Sequence, residues 1–144
     1  MTLKLWKMLV RWYLGGLGYV CLELLWRGWS HGSMFVVGGI CFLLLGAAGR
    51  LDLPLLLRVH LGAVLITGVE LISGLILNVL LGLHVWSYSS LHLQLLGQIS
   101  ALYFLLWHPV AAIGMLCDRA IRLALFREGP DSGTQTVPGL PETA

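Results

Sequence analysis

Charge is what this sequence has least of. Only 11% of its 144 residues are Asp, Glu, Lys or Arg, while 58% are hydrophobic. Ordinary soluble domains carry roughly a quarter charged residues to keep their surfaces in water, so a soluble globular domain is excluded. Cysteine is also scarce. Cys21, Cys41 and Cys117 are odd in number and form no CxxC pair, which argues against a disulfide framework or a zinc site. There is no GxxxxGK[ST], GxSxG or HExxH. The chain therefore has no P-loop, nucleophile elbow or zincin helix, and it reads as a non-enzyme with no cofactor, no metal and no nucleic-acid partner.

What it does have is long apolar runs, at about residues 8–26, 33–49, 54–82 and 91–117. Each meets or nearly meets the roughly 17 to 25 residues that cross a bilayer as helix. The expectation is an all-α polytopic membrane protein, a four-helix transmembrane bundle occupying residues 1–127. The start MTLKLWKMLVRWYLGGLGY has the basic front and apolar body of a signal peptide. No small-residue cleavage site follows, and Glu23 and Arg27 continue the segment, so it reads as a retained first span. From residue 128 to 144 the chain turns to Gly, Pro, Ser and Thr, the composition of a disordered tail.

Lys4, Lys7, Arg11, Arg50, Arg58, Arg119, Arg122 and Arg127 fall on one side of such a four-span chain and only Arg27 on the other. Basic residues in short loops stay inside, so both termini are expected in the cytoplasm of a cell-membrane protein. Trp6, Trp12, Tyr13 and Trp107 would then mark the inner interface, and Trp26, Trp29, Trp86 and Tyr88 the outer one.

Two carboxylates interrupt the apolar runs. Aligning LGGLGYVCLELL (14–25) with LGAVLITGVELI (61–72) puts Glu23 and Glu70 in register. Beyond them, Trp29-Ser30-His31-Gly32-Ser33 parallels Trp86-Ser87-Tyr88-Ser89-Ser90, with ten extra residues in the second half. Two tandem two-helix repeats would share an axis along the membrane normal and bring both acids to one depth.

Helical periodicity places Ala63, Thr67, Glu70, Ser73, Gly74 and Asn78 on one stripe of the third span. Gln94, Gly97, Gln98, Ala101 and His108 share spacing on the fourth, and Gly16, Tyr19, Glu23 and Arg27 on the first. Three stripes imply a polar interior, although small residues and amides also serve as ordinary interhelical glue. Glu23 has Arg27 one turn onward. Glu70 has no cation within a turn on its own helix, and an intramembrane acid costs at least about 2.5 kcal/mol; it needs protonation or a partner across helices, with Arg27 the candidate. The histidines show no ligand spacing. Pro109 is expected to kink or end the fourth helix, and the chain beyond it to bring Arg119, Arg122 and Arg127 to anionic lipid.

The stretch RWYLGGLGYVCLELLWRGWSHGSMFVVGGICFLL, with GVELISGLILN, VWSYSS and LLGQISALYFLLW, resembles a family of small bacterial membrane proteins described as ABC-transporter type IV, and is similar to the vertebrate transmembrane protein 229 group. The resemblance covers about residues 12–127. The family pattern has WDYS where this chain has Trp86-Ser87-Tyr88-Ser89, so one acid is missing here. The resemblance implies transport, without an ATPase in this chain.

The leading expectation is movement of a small solute or ion through a polar interior of Glu23, Arg27, Glu70, Tyr19, Thr67, Ser73, Asn78, Gln94 and Gln98, with Trp29, Trp86 and Tyr88 as an outer motif. The alternatives are an accessory or scaffold protein and a lipid-handling one. Four helices enclose little space, so besides the lipid bilayer a homo-oligomer or a partner membrane protein is expected. The charge asymmetry gives the first prediction: reporters fused at the N-terminus and after Phe126 both report cytoplasm, and an external signal at either end overturns the arrangement.

Overall fold

The computed structural model describes residues 2–129. It contains four helices long and apolar enough to cross a membrane. They are α1 (Leu3–Arg27), α2 (Gly32–Gly49), α3 (Leu55–Gly74, prolonged by a π-helical stretch Leu75–Leu80) and α4 (Ala101–Ala124). Two short strands, β1 (Gln94–Leu95) and β2 (Ile99–Ser100), pair antiparallel between α3 and α4. The all-α membrane fold expected from the apolar runs is the one observed.

Local chemistry sets the helix ends. Thr2 Oγ1 accepts from the Leu5 amide at α1's start, and Gly28, at φ 78°, closes its end by donating to the Leu24 carbonyl at 3.0 Å. A left-handed residue is needed there, and glycine adopts that conformation without a Cβ penalty. His31 and Ser100 accept from backbone amides at the starts of α2 and α4. Pro54 stands immediately before α3, where its missing N–H removes no helical bond. At the end of α2, Arg58 Nη1 donates to the Gly49 carbonyl at 2.8 Å, filling an acceptor the helix leaves open.

The central helix is α2, which packs on α1, α3 and α4, whereas α1 and α4 meet only sparsely. Small residues make the α1–α2 approach possible. A Cβ on Gly39 would lie 2.7 Å from the Trp12 carbonyl oxygen, and one on Gly16 would collide with the Phe35 carbonyl. Close backbone approach matters here because lipid supplies no hydrophobic drive between helices, leaving van der Waals packing to associate them. On the other side of α2, Cys41 and Leu45 join Ala63, Ile66, Trp107 and Ala111 in a buried apolar layer.

The first three spans fall within a few residues of expectation outside α1's longer start, but the fourth does not. Residues 91–100 were expected as its first turns; they form the hairpin instead, and α4 begins at Ala101. Gln94 and Gln98 are thus hairpin residues, not part of a helical stripe. Leu93 and Leu96 both sit at φ 54°, a left-handed conformation costing roughly 1 to 2 kcal/mol per non-glycine residue. The hairpin is held by Gln94 Oε1 accepting from the Gly97 amide at 2.6 Å, and by the Tyr88 amide donating to the Gly97 carbonyl at 2.8 Å. Pro109 neither ends nor breaks α4, which continues to Ala124. The expected tail 128–144 lies outside the described residues except for Glu128 and Gly129.

Both described chain ends lie at one end of the four helices, the terminal end. The loop 28–31 and the segment 81–100 lie at the other, the capped end. Gly39→Leu is expected to destabilise the protein by about 2 kcal/mol through overpacking, whereas Gly18→Ala, where an added Cβ meets nothing within 4 Å, is expected to be neutral or stabilising. Denaturant titration in detergent checks this, and equal effects would refute the tight α1–α2 seam.

Candidate functional site

A cavity of about 250 Å³ lies at the capped end, between α1 and α4 and reaching α3. Glu70 of α3 is its most buried acid, 8% exposed. Its Oε1 accepts from Tyr88 Oη at 2.6 Å and its Oε2 from Trp107 Nε1 at 3.0 Å. One donor thus comes from the cap and the other from α4. An ionised carboxylate offers about four lone-pair directions, so these donors orient the group without saturating it. Burial, then the charge and hydrogen bond of Glu70, push the Tyr88 phenol pKa upward, which keeps the phenol a donor.

Glu23 is compensated differently. Arg27 Nη2 donates to its Oε1 at 2.8 Å, and Ser30 Oγ to its Oε2 at 2.6 Å. Arg27 also donates to the Val85 carbonyl at 3.1 Å and lies 4.4 Å from the Trp29 ring centroid, a cation–π distance. The expected bridge from Arg27 to Glu70 is therefore not formed; Arg27 is held by its own helix neighbour and by the cap. Among the described residues Glu70 has hydrogen-bond donors but no ion-pair partner. Both acids nevertheless face one cavity, and each accepts from the loop that follows its helix.

The cap is positioned by buried amides. Asn78, turned inward by the π-helical stretch, donates to Gln98 Oε1 at 2.8 Å and accepts from the Val85 amide at 2.7 Å. Trp86 Nε1 donates to the Gln98 carbonyl at 3.0 Å. These bonds bring Trp86 and Tyr88 to the cavity wall.

Of the residues singled out from the sequence, Tyr19, Glu23, Arg27, Glu70, Trp86 and Tyr88 line the cavity. Trp29 stands beside it on Arg27. Asn78 and Gln98 support the cap, while Gln94 is exposed in β1. Thr67 and Ser73 bond back to the Ala63 and Val69 carbonyls of α3 at 2.8 and 2.7 Å and do not line the cavity, so the expected polar stripe splits. Ser87 bonds Ser89 Oγ at 2.9 Å and is exposed.

Tyr103 and Trp107 also line the cavity, where the sequence pattern gave no sign of them. Trp107 was expected at the inner interface, but the later start of α4 shifts it into the capped half, where it is buried against Glu70. Asp118 was missed entirely. At 1% exposure it lies between Arg11 Nε at 2.6 Å and Arg122 Nε at 2.9 Å. Arg122, expected to reach lipid, is buried. The available signal was the i,i+4 spacing of Asp118 and Arg122, identical to that of Glu23 and Arg27. Nearby, Lys7 bonds Glu128 at 2.7 Å and holds that carboxyl below its ordinary pKa. His60 Nδ1 and His108 Nε2, unrelated by spacing, lie 3.1 Å apart on the α3–α4 surface.

These features define a polytopic helical membrane protein with an acidic, aromatic-walled chamber at one end and sealed charge at the other. The chain belongs to the family described as "Putative ABC-transporter type IV", which it matches over residues 17–134. No curated protein and no solved structure matches it. The matched span contains every cavity residue and Asp118, but not Arg11.

The terminal-end cluster yields a prediction. Asp118→Asn leaves two buried guanidinium groups without their shared anion and is expected to cost about 3 kcal/mol. Adding Arg11→Met should recover part of it. Unfolding titrations in detergent test both, and a loss no larger than that of Glu23→Gln would refute the structural role.

Proposed function

We propose that the chain is a transport-related membrane protein whose capped end faces outside and presents Glu70 as the binding group for a small cationic solute or a proton. One observation carries this reading: a buried carboxylate, oriented by two donors, faces a cavity with no ion-pair partner among the described residues. Acids at membrane depth cost about 2.5 kcal/mol or more, and typically mark ion or substrate pathways. The family description points the same way.

A second reading, an accessory membrane protein, is favoured by what lies beneath the chamber. The apolar layer of Leu45, Ala63, Ile66 and Ala111 separates it from the Asp118 cluster. Movement across the membrane would require a second conformation, a second copy or a partner membrane protein. Glu70→Gln separates the readings, since the amide is nearly isosteric and cheaper to bury. It is expected to fold and to lose at least about tenfold of cation- or pH-gradient-driven flux in liposomes. Wild-type vesicles indistinguishable from empty ones across inorganic cations and protons would favour the accessory reading.

A further inference from the structure

The α1–α4 seam has an unusual construction. At the terminal end Arg11 and Asp118 tie the two helices together. At the capped end Trp26 Nε1 donates to Tyr103 Oη at 3.4 Å. Between these ties the helices make little contact, and the cavity occupies the gap. Four of its lining residues, Leu22 and Trp26 of α1 and Leu106 and Pro109 of α4, are exposed at the surface of these membrane-spanning helices. The chamber therefore opens sideways, toward hydrocarbon, through an apolar mouth.

Its interior is of opposite character. Tyr88 stacks on Tyr103 at 4.4 Å between ring centroids, Tyr103 neighbours Trp107 at 6.2 Å, and Trp107 neighbours Tyr19 at 6.5 Å. This chain of rings surrounds Glu70, which is bonded to its first and third members. The lining holds two carboxylates and one guanidinium, and that guanidinium is paired with Glu23. An acid set among aromatic faces complements a cation with a weakly hydrated, carbon-clad charge, because ring faces attract such ions and do not replace lost water bonds. An inorganic ion would gain less from those rings.

We infer that the chamber binds the ammonium end of an amphipathic organic cation, admitted from the leaflet on the capped side between Leu22 of α1 and Leu106 of α4 while its hydrocarbon stays at the mouth. This rests on the reading of the chamber as a binding site and names its ligand class. Two sources share the chemistry: a free alkylammonium amphiphile and the ammonium headgroup of a membrane lipid.

The test is saturable retention of radiolabelled decyltrimethylammonium on phosphatidylglycerol nanodiscs carrying the full chain, in excess over empty discs. Unlabelled decyltrimethylammonium should compete. Decanol and decyl sulfate, with the same chain and no cation, should compete at least about tenfold less well, as should tetramethylammonium, which lacks the chain. Glu70→Gln should lower retention at least about tenfold. Leu106→Trp, which fills the mouth and leaves Glu70 and its donors in place, should lower it comparably and keeps the idea testable if Glu70→Gln fails to fold. Discs of phosphatidylethanolamine distinguish the sources: reduced retention assigns the lipid headgroup, equal retention the free amphiphile, and either supports the ammonium assignment. Competition by decanol equal to that of the cation overturns the ammonium assignment, and tetramethylammonium as effective as the chain-bearing ion overturns the lateral route. No saturable retention overturns both. If flux of inorganic cations still depends on Glu70, the broader binding reading stands without this ligand class.

Discussion

A carboxylate in a low-dielectric interior must be hydrogen-bonded, and the capped half of this protein depends on how Glu70 meets that demand. Its donors belong to different elements, Tyr88 on the cap and Trp107 on α4. Desolvating an acid without such bonds costs several kcal/mol, so the requirement of one residue couples α3, α4 and the segment between them. The cap is not an incidental connection; it supplies half of the coordination that makes the acid tolerable.

The cap in turn depends on a second buried polar set. Asn78 and Gln98 satisfy each other and the Val85 amide, and the Gln98 carbonyl receives Trp86. Satisfied buried amides specify one arrangement, because any other leaves donors or acceptors without partners. That specificity offsets the unfavourable backbone of Leu93 and Leu96, and strain of this kind concentrates near functional sites. Gly74 belongs to the same arrangement, since a Cβ there would crowd Trp86 and Gln98.

The two ends of the molecule use the same ingredients to different effect. At the terminal end Asp118 is enclosed by two arginines beside Gly46; its charge is matched and it does not line the Glu70 cavity. At the capped end Glu23 is matched by Arg27, whereas Glu70 receives only neutral donors and faces open volume. Among the described residues, Glu70 is the cavity acid that is oriented by hydrogen bonds without a cation beside it. The sparse α1–α4 contact leaves exposed Leu22 and Leu106 at the cavity's lining.

Several elements were legible from composition and period alone. Apolar runs long enough to cross a bilayer give helices, because hydrocarbon leaves the backbone no other donors and acceptors. The acids Glu23 and Glu70 were legible for the converse reason, as costly exceptions in such runs, and their common cavity is consistent with the alignment that paired them. The hairpin at 91–100 was not legible: LHLQLLGQIS has the hydropathy of a span, and what turns it away from helix is bonding to Asn78, twenty residues before Gln98, and to Trp86. With the start of α4 went the position of Trp107, and with it the second ligand of Glu70. Arg27's choice of Glu23 and Val85 over Glu70, the back-bonding of Thr67 and Ser73, and the burial of Asp118 between Arg11 and Arg122 likewise depend on distances between segments remote in the chain. Sequence by itself determined that the chain has four long apolar helices and that Glu23 and Glu70 are costly exceptions in them, since that follows from transfer energy residue by residue. Only the tertiary structure decided which anomalies are cancelled and which is left facing a cavity, because partner choice depends on geometry that no local pattern encodes.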